Sequence, residues 1–348
     1  MKGSSVLLDR IAGRRTAVRL QDGALQDFLI DEADDSAPGT GAIFRAKVDR
    51  PVKGQGGLFV ALGNGLKGFM RDGKGLSQGQ TLLVQVTGTA EAGKAIPVTR
   101  RVLFKSKWAI VTPGAPGTNI SRAIREEETR LRLKAAVSDL DLPEGCGLIL
   151  RSACAEADPD AVAEDAEEMA GLAEALLKDS KGAPELLIEG PDAHHMAWRE
   201  WGDPDELDTA EGCLAARGVL DQIESLFSPV VPLAGGASMA VEPTRALVAV
   251  DVNTGADTSP AAGLKANIAA LRDLPRQLRL RGLGGQIVVD IAPTPKKDRK
   301  QLEQVLRAAL KTCPVETNFV GWTPLGHIEL QRKRERLPLA ELLPNGLS

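Results

Sequence analysis

Leu247-Val248-Ala249-Val250-Asp251-Val252-Asn253 and Gln286-Ile287-Val288-Val289-Asp290 are two short apolar runs, and each delivers an aspartate at its carboxyl end. Such runs, rich in branched aliphatics, read as buried strands. Between them lies a basic connector that ends Leu278-Arg279-Leu280-Arg281-Gly282-Leu283-Gly284-Gly285. Within it Leu264, Ile268, Leu271, Leu274 and Leu278 recur at helical spacing, while Arg272, Arg276 and Arg279 project elsewhere. Pro275 either kinks this helix or marks its start after a turn. A strand, a helix and a parallel strand make a right-handed crossover, which sets Asp251 beside Asp290 if the two strands are neighbours. The fold class is therefore α/β, and the acids lie outside the strand ends, where open sheets bind ligands.

Two carboxylates about 4 Å apart repel by about 4 kcal/mol at an effective dielectric near 20, so a shared site needs a proton or a cation. Oxygen ligands alone favour Mg2+, or Mn2+, over zinc, and a basic connector beside them favours a polyanionic substrate. Metal-assisted phosphodiester chemistry follows. Asp251 and Asn253 share a strand face about 6.6 Å apart, so the Asn amide can orient the first carboxylate. A lone strand-end aspartate is more often a turn cap; two matched strands and the basic connector reverse that weighting.

The stretch VAVDVNTG, followed by LPRQLRLRGLGGQIVVD up to Asp290, resembles the catalytic segment of the ribonuclease E/G family. The resemblance implies that Asp251 and Asp290 ligate one Mg2+, that Asn253 supports the first, and that the chain is an Mg2+-dependent endoribonuclease. The implied substrate is single-stranded, A/U-rich RNA, cut to 5′-phosphate and 3′-hydroxyl ends during RNA processing, including rRNA processing, or decay. The implied fold is an α/β multi-domain chain with an RNase H-like/DNase I-like catalytic core, an inserted OB-type barrel and a small 5′-end-sensing subdomain. The corresponding boundaries are 1–37 and 191–227 for the RNase H-like scaffold, 38–103 for the barrel and 104–190 for the sensor. The catalytic DNase I-like subdomain is 228–341, followed by a tail, 342–348. RNA contacts are implied for Arg122, Arg279, Arg281 and, in a basic helix written Glu329-Leu330-Gln331-Arg332-Lys333-Arg334, Arg334.

In 38–103 the alternation of Phe44, Ala46 and Val48 with Arg45, Lys47 and Asp49 has the period of a half-buried strand. Further short strands at 57–62, 66–70, 81–86 and 96–101, separated by Gly-rich turns, predict a small closed barrel of the OB type. Such barrels bind single strands by stacking bases on aromatic rings, and Phe59 and Phe69 are either such platforms or core residues. The resemblance places the family's stacking phenylalanines on these two and a contacting lysine on Lys94.

A helical pattern from Glu126 to Asp139 leads into a strand that ends at Arg151-Ser152, where a guanidinium beside a hydroxyl matches a terminal phosphate. The resemblance implies that this pair senses an RNA 5′-monophosphate, with Ser152 standing where the family has Thr. Residues 156–180 read as an acidic amphipathic helix, and Trp198 to Phe227 as a broken helical region.

The formal net charge of −4 conceals a segregation of sign. Residues 38–125 hold 14 Lys/Arg against 3 Asp/Glu, residues 154–228 hold 4 against 20, and residues 263–336 hold 15 against 7. Basic segments of this kind supply the counterion-release term in nucleic-acid binding whatever the total charge. Apolar runs are too short for a signal peptide or a membrane span, so a cytoplasmic protein without membrane partners is expected. Four cysteines without CxxC spacing read as free thiols, and three histidines make a zinc centre unexpected.

Two departures from the family stand out. Ile291-Ala292-Pro293 replaces a Phe-Ile-Asp-Met run after the second aspartate, and no CPxC zinc link is present, so no zinc-linked dimer is expected, another oligomer remaining open. The alternative to an enzyme is a catalytically weakened RNA-binding protein of the same fold. A DNA-directed phosphodiesterase is disfavoured, because the barrel suits flexible single strands.

Overall fold

The two aspartate-bearing runs pair side by side. In the computed structural model, which describes residues 3–32, 38–51, 57–90, 93–259 and 261–347, Val248–Asn253 and Gly285–Asp290 are parallel neighbours. Their register runs from Val248↔Ile287 to Asp251↔Asp290. They form the centre of a six-stranded sheet whose other pairings, through Val230–Pro232, Ser238–Pro243, Ile328–Arg332 and Thr317–Trp322, are antiparallel. Alternation buries Val248, Val250, Val252, Ile287 and Val289 and leaves Asp251, Asn253 and Asp290 exposed.

The crossover is the helix Ala262–Leu280, and Pro275 lies inside it rather than at its start. Ala266, Ala270, Leu271, Leu274 and Leu278 pack on the strand valines, joined by Leu302 and Leu306 of the helix Arg299–Thr312. The helix stops in a Schellman cap: the Leu283 N–H donates to the Leu278 carbonyl at 2.8 Å and the Gly282 N–H to that of Arg279 at 3.1 Å. Gly282 adopts φ +64°, and a Cβ there would lie 2.1 Å from the Leu337 carbonyl oxygen. The Arg-Gly-Leu-Gly-Gly element is thus first a helix terminator that aims the chain into the second aspartate strand. Residues 329–334, expected as a basic helix, belong mainly to the strand Ile328–Arg332, because Ile328, Leu330 and Arg332 are buried at a period of two.

Asn267 fixes the turn after Asp290. It is fully buried, donates to the Ala292 carbonyl at 2.9 Å and accepts from the Ala292 N–H at 2.9 Å. One turn earlier, a Cβ on Gly263 would approach the Pro293 carbonyl oxygen to 2.1 Å, so the start of the helix lies directly against the Ile291-Ala292-Pro293 segment.

These elements belong to a compact unit formed by Met1–Ala33 and Asp205–Ser348. Its second sheet joins Ser4–Ile11, Arg14–Gln21 and Ala24–Ile30 to a short parallel strand, Glu206–Asp208, inside the stretch expected to be broken helix. Leu7, Val18, Leu20 and Phe28 of this sheet share a core with Leu214, Val219 and Ile223. The buried Asp27 carboxylate holds Arg336 at 2.6 Å and Arg279 at 3.3 Å, tying the third strand to the crossover helix and to the C-terminal segment.

The second unit is Asp34–Pro204. Ile43–Pro51, Leu58–Gly63, Leu66–Met70, Ile96–Thr99 and Thr81–Val86 pair in that order, and the last closes back on the first. This closed five-stranded barrel of OB-like type makes the chain a mixed α/β protein. A sixth strand, Glu185–Ile188, adds antiparallel to Ile43–Pro51. A separate core joins the helix Pro159–Lys178 to the strands Ala109–Pro113 and Cys146–Leu150 through Val162, Ala166, Ala173, Val111 and Leu148. Among the described residues no helix is long and apolar enough to cross a membrane.

Replacing Asn267 with Ala strips both buried backbone groups of Ala292 of their partners. A loss of about 2–4 kcal/mol in unfolding free energy is expected from denaturant titration. A loss below about 1 kcal/mol would show that water or backbone relaxation replaces the clamp.

Candidate active site and RNA-binding surface

Asp251 and Asp290 stand opposite each other in the central parallel pair, each at the last or near-last position of its strand. Asn253 Nδ2 donates to Asp251 Oδ2 at 2.6 Å, the orientation that their shared strand face predicts. A residue that sequence reasoning passed over meets the second acid: His327 Nδ1 lies 3.0 Å from Asp290 Oδ1. A lone histidine carries no spacing signal, but Ile328, the next residue, pairs with Val289, so strand register alone brings His327 to the second aspartate. The side chain of Asp290 is 62% exposed and that of His327 28%.

Two solvent-open carboxylates with oxygen donors fit a hard divalent cation that keeps most of its waters and meets substrate phosphate, as Mg2+ does, better than a closed protein cage. Among the described residues no three His, Cys, Asp or Glu side chains are grouped for metal binding. Asp251 and Asp290 are the residues that would hold the ion.

The connector arginines, expected as RNA contacts, are engaged within the protein. Arg279 is consumed by Asp27, the Gln26 carbonyl at 2.7 Å and Cys313 Sγ at 3.2 Å. Arg281 is buried against Gln277 and donates to the Ser228 carbonyl at 3.0 Å, and burial brings its guanidinium down to about 10. Both stabilise the scaffold behind the sheet. Lys296 and Lys297, a few residues after Asp290 in sequence, are exposed, as are Arg122 and Arg334.

On the barrel, Phe59 and Phe69 are cross-strand partners on adjacent strands, with ring centroids 5.7 Å apart in an edge-to-face arrangement. Neither belongs to the barrel core, which is built from Phe44, Val48, Val60, Leu62, Met70 and Val84. The two rings line an open groove with Lys67 and Lys94, and the Arg50 guanidinium sits 6.0 Å from the Phe59 ring. Two half-buried rings flanked by cations have the make-up of a stacking surface for single strands.

Comparison with known sequences places the chain in a family. The profile of the ribonuclease E/G family matches residues 104–209 and 205–335, together well over half of the chain. The chain belongs to the ribonuclease E/G family. It is 30% identical to ribonuclease E of Synechocystis sp. over 77% of its own length and 46% of that protein. It is likewise 30% identical to ribonuclease E of Escherichia coli K12, over 76% of its length and 29% of the relative. Against ribonuclease G of Salmonella typhimurium the identity is 26%, over 97% of this chain and 82% of the relative. The chain thus spans less than half the length of the ribonuclease E proteins it matches.

In this member of the ribonuclease E/G family, Arg151 is already engaged. Its Nη1 donates to the carbonyls of Ser106, Lys107 and Arg199 at 2.7, 3.2 and 3.0 Å, and its Nη2 meets Glu200 Oε2 at 2.6 Å. Lys105 Nζ and Arg199 Nε approach the other oxygen of Glu200 at 2.7 and 2.8 Å. Ser152 opens the short 3-10 helix Ser152–Glu156 and is exposed. Burial by itself would raise the Glu200 carboxyl, but the hydrogen bond and charge of Lys105, with Arg151 and Arg199, hold it at about 2. Burial pulls the Lys105 ammonium below its usual value, against the opposing pull of Glu200.

The depressed value makes Glu200 a pH-dependent stabiliser, on the order of 3 kcal/mol. Its contribution is fully present above the ordinary glutamate value of 4.5 and is lost as pH falls toward 2. Urea unfolding of the wild type and of Glu200→Gln should therefore differ most near neutrality and converge toward pH 2. A difference that stays constant across that window would rule out a charge-based contribution.

Proposed function

We propose that the protein is a divalent-metal-dependent endoribonuclease that cuts single-stranded RNA, with A/U-rich segments favoured, in RNA processing or decay. The observation that carries this reading is the direct register pairing of Asp251 with Asp290, with Asn253 bonded to the first acid, in a member of a ribonuclease family. A Mg2+ or Mn2+ ion held there would supply Lewis-acid stabilisation of the phosphoryl group and a water of lowered pKa, the combination that leaves 5′-phosphate and 3′-hydroxyl ends.

The protein's own contribution is placement. Asn253 donates to one carboxylate and His327 contacts the other, so each acid has a partner that restrains it before substrate arrives. Asn267 and Gly263 fix the turn beyond Asp290, and that turn carries Lys296 and Lys297 for the phosphates of the strand. On the barrel, Phe59 and Phe69 offer faces for bases while Lys67, Lys94 and Arg50 offer charge to the backbone.

Asp251→Asn and Asp290→Asn should each abolish Mg2+-dependent internal cuts in a labelled A/U-rich oligonucleotide and leave affinity in EDTA within about twofold, because the acids and the barrel act separately. Near-wild-type cleavage by either variant would end the metal-site assignment. Wild-type protein that binds RNA without cutting it under any divalent cation would leave the weakened RNA-binding relative as the correct reading.

Phe59→Ala and Phe69→Ala should each weaken RNA binding by about 1–3 kcal/mol in a fluorescence titration. The wild-type affinity should fall with salt at a log–log slope of about −0.7 per phosphate contact. Folded variants with unchanged affinity would assign both rings a packing role.

A further inference from the structure

His327 meets Asp290 through the register of the sheet, and the turn before it is tied down. Ile328–Arg332 runs antiparallel to Gly285–Asp290 with Ile328 opposite Val289, so one step further His327 faces Asp290. The His327 N–H donates to Thr323 Oγ1 at 3.0 Å, the Thr323 N–H to the His327 carbonyl at 2.9 Å, and the Gly326 N–H to the Thr323 carbonyl at 3.0 Å. A carboxylate only accepts, so across 3.0 Å the imidazole Nδ1 donates to Asp290 Oδ1. On the neighbouring strand Asn253 Nδ2 donates to Asp251 Oδ2 at 2.6 Å. Each acid thus has one oxygen taken by a side-chain N–H. Among the described residues no hydrogen bond or ion pair reaches the other oxygen of either.

One free oxygen on each acid decides which cation fits. Ca2+ takes about six to eight oxygens and often draws both from one carboxylate, whereas Mg2+ accepts one oxygen from each of one or two carboxylates and keeps several waters. His327, Asp251 and Asp290 do not themselves form a three-donor group, so the imidazole is a partner of the acid and not a third ligand. We propose that His327 is a positioning residue for Asp290, the counterpart of Asn253 for Asp251, and that these two donors limit each acid to one metal-binding oxygen, which makes the site select Mg2+ or Mn2+ against Ca2+. The inference rests on the reading of Asp251 and Asp290 as metal ligands, and adds which ion they accept and which residue decides it. Hydrogen-bond partners behind a ligating carboxylate are worth about 10–100-fold in metal affinity.

The first test reads the ion directly, without RNA or turnover. The full-length protein, stripped with EDTA, is titrated with Mn2+, whose free fraction is followed by electron paramagnetic resonance, and Mg2+ and Ca2+ are then added as competitors. Wild type should release Mn2+ to Mg2+ at a lower concentration than to Ca2+. In His327→Leu the Mn2+ affinity should fall by about tenfold or more, and the Mg2+ over Ca2+ preference should shrink by a similar factor, because Asp290 regains a second free oxygen. His327→Asn keeps an N–H on the atom next to Cγ and should recover both quantities to within about threefold. Should the leucine disturb the Thr323 turn, His327→Ala carries the same comparison. Wild-type affinity and selectivity in folded His327→Leu, or a wild type that prefers Ca2+, would overturn the proposal.

The second test separates a residue that acts through Asp290 from one that touches the reacting atoms. The Mg2+ concentration for half-maximal cleavage of the A/U-rich oligonucleotide should rise about tenfold in His327→Leu, and saturating Mg2+ should restore the rate to within a few-fold of wild type. A loss of rate that no Mg2+ concentration repairs would refute the positioning role. The same Mn2+ titration of Asp251→Asn and Asp290→Asn keeps this inference distinct from the reading beneath it. Unchanged Mn2+ binding in those two variants would remove the metal site itself, and with it the proposal. Lost binding there beside wild-type behaviour of His327→Leu would sink the role of His327 alone.

Discussion

The parallel register of Val248–Asn253 with Gly285–Asp290 is the constraint on which the rest of the acid-bearing unit depends. Side chains alternate along a strand, so a slip of one residue would send the slipped strand's aspartate into the core and its aliphatic side chains into water. The protein excludes that slip on several sides. Val248, Val250, Val252, Ile287 and Val289 share one core with the crossover helix, Gly282 ends that helix at a fixed point, and Asn267 clamps the chain just beyond the second aspartate. The acids stay in solvent, where hydration lowers the cost of bringing two like charges together.

Positive charge divides between two tasks. Arg45, Arg279, Arg281, Arg332 and Arg336 are spent inside the structure, on Asp179 and Glu185, on Asp27, on backbone carbonyls and on Cys313. Planar guanidiniums with several fixed donors suit such buried duty, whereas the ammonium groups of Lys296, Lys297 and Lys67 are left for the surface. The excess of basic residues in 38–125 and 263–336 therefore overstates the charge available to a polyanion.

The acids, their Asn support and the closed barrel were legible because each rests on a local period: alternating strands, a helical leucine stripe and glycine-bounded turns. The fate of the arginines was not, since Arg279 and Arg281 look identical in sequence whether they face water or Asp27 and Gln277. His327 and Glu200 were hidden for a related reason: one reaches its partner through strand register, the other through three elements that the chain order keeps apart. The strand at 328–332 was masked by its charges, although its burial alternates with a period of two.

Asp34–Pro204 interrupts a unit whose two pieces lie on either side of it, and Asp27 is joined to Arg336 across nearly the whole chain. During synthesis the barrel-bearing unit emerges complete and can fold while the acid-bearing sheet has yet to be translated. The first three strands meanwhile wait for Leu214, Val219 and Ile223 to cover them, and for Arg336 to neutralise a carboxylate destined for the interior. Assembly of the acid-bearing unit is thus a late, long-range event, with the slow closure that high contact order brings. A nascent chain would possess the barrel surface proposed to grip RNA before it possesses the acids proposed to cut it.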